Sequence, residues 1–76
     1  MDTVGARLRL ARQRKVWSLE DLAGASGVVV ATLSRLENGK QDARPSTIRK
    51  LATALDVEPR WLLLGDEDED MGKAAA

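Results

Sequence analysis

Helix start and stop signals recur so closely along this chain that no long helix can form, and this punctuation constrains the fold more than any other feature. Asp2 or Thr3 can cap a first helix over "TVGARLRLARQRK", where Val4, Leu8 and Ala11 share one stripe at spacings of four and three. Ser18, with Asp21 three residues on, forms a capping-box start for "SLEDLAGA", and Trp17 just before it predicts a hydrophobic staple onto Leu22. That helix stops between Gly24 and Gly27. A third runs from about Val29 to Glu37 with Leu33 and Leu36 turned inward, and Asn38–Gly39 supply a left-handed stop. Pro45 occupies the first turn of "PSTIRKLATAL", whose Ile48, Leu51, Ala52 and Leu55 form a buried stripe. Pro59 opens the short helix "PRWLLLG", closed by Gly65, with Trp61 capping the core beneath helices 1 and 5. No segment carries a strand signal. The expected fold is all-α: five short helices with tight connections, none able to bury its apolar stripe alone.

A chain of 76 residues forms one domain at most, with a small core. Cys and His are both absent, which excludes disulfides and the usual zinc sites and argues against an enzyme, since the scattered serines lack a base. The acidic run Asp66–Asp70 lacks the spacing of a calcium loop, so no metal and no cofactor is expected. No apolar run approaches membrane-spanning length and no signal peptide is visible, which fits a reducing, cytoplasmic setting. The net charge of zero hides an asymmetry. Residues 1–64 carry eleven of the twelve Lys/Arg and seven of the twelve Asp/Glu, whereas 65–76 carry five acids and one lysine. A basic body favours an anionic partner. Residues 1–65 are expected to be the folded domain and 66–76 an acidic, disordered tail.

Two helices of about eight residues joined through Gly27 have the helix-turn-helix layout. Ala23 lets them cross closely, Gly27 turns the chain, and Val28 with Leu33 fixes the angle from beneath. The second helix then presents Val30, Ala31, Ser34 and Arg35 on its outer face, and such a helix fits a DNA major groove.

Residues 4–65 resemble the phage repressor/Cro family of helix-turn-helix proteins, the XRE-like regulators. The resemblance rests on "SLEDLA" (18–23), "SGV" (26–28), "TLSRLENGK" (32–40), "RP" (44–45), "LATAL" (51–55) and "WLLLG" (61–65), in order and at the right separations. It implies a five-helix fold and a bacterial or phage cytoplasmic, nucleoid-associated transcription regulator, most simply a repressor. Such a protein binds a near-palindromic double-stranded DNA operator as a homodimer through helix 3. Carried over residue by residue, it makes Val30, Ala31, Ser34 and Arg35 the base-reading positions. Arg12, Ser18, Leu19, Thr32, Asn38, Lys40 and Arg44 become the phosphate-facing positions. Leu19 stands where many members carry a contacting Gln, so its side chain loses that contact while the helix 2 backbone amides keep theirs. Arg12 and Glu37 match a pair that joins helix 1 to helix 3; otherwise they are two unrelated surface charges. Pro59, Arg60, Leu63 and Leu64 correspond to the dimer seam, where three consecutive leucines cannot all point inward. Arg7 and Arg9 read as a solubilising face.

The start of helix 3 departs from the family pattern. Val29 cannot cap, which forgoes roughly 1 kcal/mol, and Val30 and Ala31 offer only methyl groups. These can meet the C5-methyl of thymine. Alternatively Val29 and Val30 thicken the core, or "VVVA" contacts a protein partner and the chain is an interaction module, antitoxin-like or polymerase-contacting, that binds DNA weakly. "WLLLG" followed by acidic residues also resembles the hinge of a longer repressor.

Overall fold

The computed structural model describes residues 3–65, and the acidic segment 66–76 and Asp2 lie outside the described residues. Five helices follow in order: α1 (Val4–Arg14), α2 (Leu19–Ser26), α3 (Val30–Glu37), α4 (Pro45–Leu55) and α5 (Pro59–Leu64), with no β-strand among the described residues. None is long and apolar enough to cross a membrane. α1 packs on α3 and α5, α2 on α3 and α4, and α4 on α5.

The expected boundaries follow from local chemistry. Thr3 caps α1 by accepting a hydrogen bond from the Ala6 amide at 3.0 Å. Ser18 and Asp21 complete the reciprocal capping box at the start of α2 (3.0 and 2.9 Å). Gly27, at φ +79°, turns the chain from α2 into α3, and its amide donates back to the Ala23 carbonyl. At the end of α3 the left-handed residue is Gly39 (φ +71°) alone, while Asn38 keeps φ −94°. Proline begins both α4 and α5, where its missing N–H forfeits no helical bond.

The core is almost wholly aliphatic. Leu8, Leu22, Leu33, Leu51 and Leu62 are fully buried, joined by Ala11, Val28, Leu36, Ile48, Ala52, Leu55, Val57 and Trp61. Trp17 packs half-buried against this cluster, as do Leu19 and Ala23.

Two cations depart from the solubilising role expected of them. Arg7 is buried, and its Nε and Nη2 donate to the Leu62 and Leu63 carbonyls at 3.0 and 2.9 Å. It thus bonds carbonyls in the last turn of α5 that have no intrahelical donor. The reason is positional: Arg7 lies three residues after Val4 and four before Ala11, on the buried face of α1. Arg9 is half-exposed but is held by Glu37 and Asn38.

Two backbone features were not legible in the pattern. Val16, between α1 and α2, adopts φ +58° with its side chain 88% exposed. A β-branched residue in the left-handed region costs about 1–2 kcal/mol, offset here by the amides of Val16 and Trp17 closing the end of α1 onto Gln13 and Arg12. Gly5 lies where α1 crosses the end of α3. A Cβ there would collide with the Leu36 carbonyl oxygen and lie 2.6 Å from that of Glu37. Gly5→Ala is therefore expected to destabilise the domain by about 1–3 kcal/mol, measured as a lower urea midpoint with unchanged slope.

Candidate nucleic-acid interface

One charged cluster fixes α3 relative to the rest of the domain. Glu37, in the last turn of α3, has a side chain only 3% exposed. Arg12 meets it with a bidentate fork, Nε to Oε2 at 2.7 Å and Nη2 to Oε1 at 2.9 Å, and sends Nη1 to the Trp17 carbonyl at 2.8 Å. Arg9 adds a third donor to Oε1 at 3.2 Å. The hydrogen bonds to Glu37 hold the Arg12 guanidinium above its ordinary pKa, against the opposing effect of burial. The pair expected between helices 1 and 3 thus exists, and Arg12, 13% exposed at its side chain, is committed to it.

With its end anchored, α3 carries Ala31 and Arg35 fully outward and Val30, Thr32 and Ser34 half-outward. Val29 occupies the N-cap position, makes no side-chain cap bond and is 64% exposed. It therefore does not thicken the core, and neither it nor Val30 is among the described side chains packed on the core cluster. Arg35 donates from Nε to Gln41 Oε1 at 2.8 Å and approaches Thr32 Oγ1 at 3.5 Å. Gln41 carried no signal in the sequence.

The other positions expected to face phosphate divide into engaged and accessible groups. Asn38 is engaged, its Nδ2 donating to the Ser34 carbonyl at 2.8 Å and its Oδ1 accepting from Arg9 at 3.3 Å. Ser18 Oγ accepts from Asp21, which leaves its own proton to donate outward. Leu19 is half-buried against the core, so only its backbone amide remains for an anion. Lys40 and Arg44 are exposed and form no ion pair among the described residues. At the start of α2, Glu20 and Asp21 bring negative charge that weakens anion attraction there.

On the α4–α5 side, Pro45, Ile48, Arg49, Pro59, Arg60, Leu63 and Leu64 line an open, largely apolar groove of about 280 Å³. Leu62 is fully buried while Leu64 is 67% exposed, so the three leucines divide as helix geometry requires. No group of side chains able to hold a metal occurs among the described residues.

An all-α bundle with two short helices meeting at Gly27, the second anchored by its last turn and outward-facing along its length, is a helix-turn-helix domain. The chain belongs to the helix-turn-helix family of transcriptional regulators, whose family model matches residues 8–62. It is similar to the HTH-type transcriptional repressor RghR of Bacillus subtilis, at 43% identity over 64 residues, covering 83% of this chain and 47% of that protein. It is also 35% identical over 79 residues to an uncharacterised HTH-type transcriptional regulator of Mycobacterium tuberculosis, covering 99% of this chain and 31% of the relative. The chain therefore spans less than half the length of these relatives. Among solved structures it is similar to the restriction-modification controller protein C.AhdI from Aeromonas hydrophila (TM-score 0.75, 43% identity, 79% of this chain and 91% of that one). It is similar too to a chain of the SinR–SinI protein complex (TM-score 0.78, 32% identity, 90% and 65%). Members of this family are DNA-binding regulators rather than enzymes.

Glu37→Ala should destabilise the domain by about 3 kcal/mol, because it strands Arg12 without its carboxylate; chemical denaturation reads this directly.

Proposed function

We propose that residues 1–65 form a sequence-specific double-stranded DNA-binding domain that represses transcription from a near-palindromic operator as a homodimer. The observation that carries this reading is the anchored α3: its inner face is locked by Leu33, Leu36 and Glu37, while Ala31 and Arg35 stand free of the core. Its family membership and its likeness to a named repressor support the same reading. Cytoplasmic, nucleoid-associated action follows from it.

Affinity comes from the backbone. Lys40, Arg44, the Ser18 hydroxyl and the Leu19 and Glu20 amides are the main phosphate contacts, with Arg12, Thr32 and Asn38 contributing whatever donors their internal bonds leave. About three to five contacts per monomer give a dimer a steep salt dependence, with a log–log slope of roughly −5 to −9. Lys40→Ala or Arg44→Ala should weaken binding about equally on all sequences and reduce that slope by about 1 per subunit.

Sequence reading comes from Arg35, Ser34 and the methyl groups of Val30 and Ala31. The exposed apolar start of α3 suits the C5-methyl of thymine, and Arg35 suits the acceptors of guanine. Selection from a random duplex pool should yield a two-fold site with T·A pairs opposite Val30 and Ala31. Val30→Gln should change the preferred base there, and an unchanged preference at every position would overturn the thymine reading. The exposure of Val29 favours a second reading, in which Val29–Ala31 meet a protein partner. Failure to enrich any duplex at low salt would turn the assignment to that one.

Dimerisation uses the apolar groove between α4 and α5, with Pro59, Arg60, Leu63 and Leu64 from each copy. Leu63→Glu, at a partly exposed position, should leave the monomer folded. Sedimentation should then report monomer where the unsubstituted chain shows a weak dimer, with at least tenfold weaker binding to a two-fold site.

A further inference from the structure

Arg35 and Arg12 are held in opposite ways. The fork of Arg12 closes on a buried carboxylate, which neutralises it, whereas the two partners of Arg35 are a carboxamide and a hydroxyl. A neutral acceptor orients a guanidinium without cancelling its charge. Geometry adds a second point. Gln41 Oε1 takes the Nε proton at 2.8 Å, and Thr32 Oγ1 lies 3.5 Å from Nη2. Both sit along the Nε–Nη2 side of the fork, so the Nη1–Nη2 end of this exposed side chain keeps two parallel donors with no partner among the described residues. That pair has the spacing to meet O6 and N7 of guanine together.

The loop that brings Gln41 back beside Arg35 is itself fixed. Gly39 reverses the chain at φ +71°, its amide donates to the Leu36 carbonyl at 3.2 Å, and the Lys40 amide donates to the carbonyl of Arg35 itself at 2.9 Å. The brace is therefore tied to the residue it braces. Resting on the DNA-reading proposal above, we infer that Gln41 is a positioning residue for base reading. It holds Arg35 so that the guanidinium end addresses a guanine edge, and it sets specificity without touching a base.

The bond is exposed and adds little to folding; its effect is to remove side-chain freedom before binding. Freezing one long side chain is worth a factor of roughly two to ten in binding. The test measures binding of the full chain to its selected duplex and to duplexes altered one base pair at a time, for Gln41→Ala, Arg35→Ala and the double variant. Gln41→Ala should lower discrimination at the base pair read by Arg35 by that factor, leave other positions unchanged, and have no further effect once Arg35 is alanine. Gln41→Glu, which keeps an acceptor at the same reach, should retain the preference at that position even if overall affinity falls. In the free protein, the Arg35 Nε–H resonance should exchange faster with solvent in Gln41→Ala.

A uniform loss across all sequences would overturn the inference and assign Arg35 or Gln41 to a phosphate. An equal loss from Gln41→Ala with and without Arg35 would overturn it by making Gln41 an independent contact. If the unsubstituted chain selects no duplex, the DNA-reading proposal fails first and this one with it, an outcome distinct from specific binding that ignores Gln41.

Discussion

The carboxylate of Glu37 is where this small domain commits its electrostatics. A carboxylate with so little exposure is costly unless it is fully paired, and here the pairing comes from two arginines on α1, one of which reaches on to the Trp17 carbonyl. Three parts of the chain are thereby joined at one point: the last turn of α3, the second half of α1 and the connection into α2. The same crossing has Gly5 against the carbonyls of Leu36 and Glu37, so the helices approach closely enough for the arginine forks to reach. The outward face of α3 inherits its direction from this joint. An ordinary hydrophobic contact has no directional preference, whereas a bidentate fork fixes both distance and rotation.

Much of the fold was written plainly in the sequence because each helix carries its own terminal chemistry. Ser18 with Asp21, Gly27, Pro45, Pro59 and Gly65 act within a few residues of themselves, and local rules suffice to read them. The apolar stripes of α1 and α4 were legible for the same reason. What escaped were positions whose role is set by a distant segment. Arg7 belongs to the buried stripe by spacing, yet its charge pointed to the surface; its bonds to the carbonyls of Leu62 and Leu63, 55 and 56 residues away, go with its burial. Gly5 reads as a weak spot in a helix until α3 is laid across it. Val16 offers no sequence cue at all, since a β-branched residue is among the least suited to its conformation.

The candidate site was legible to a different degree. The outward positions of α3 followed from the helix-turn-helix layout, and the Arg12–Glu37 pair from the family resemblance. The state of each donor was not. Asn38, Arg12 and Arg9 spend hydrogen bonds inside the protein, while Lys40 and Arg44 do not. Side-chain partners of this kind depend on rotamers and on loop return, and Gln41 beside Arg35 is such a case.

The missing cap at the start of α3 bears on how such a domain diversifies. The side chain of Val29 gives no cap hydrogen bond to the helix and no methyl to the core, and Ala31 faces outward. These exposed side chains at the start of α3 are therefore nearly silent in folding. Changes at 29–31 move through sequence space at little thermodynamic risk, and Ser or Thr at 29 would add stability. A lineage, or a designer randomising these positions, can change the exposed start of α3 without first restoring the scaffold. Evolvability here comes from leaving the exposed edge of α3 out of the framework that holds it.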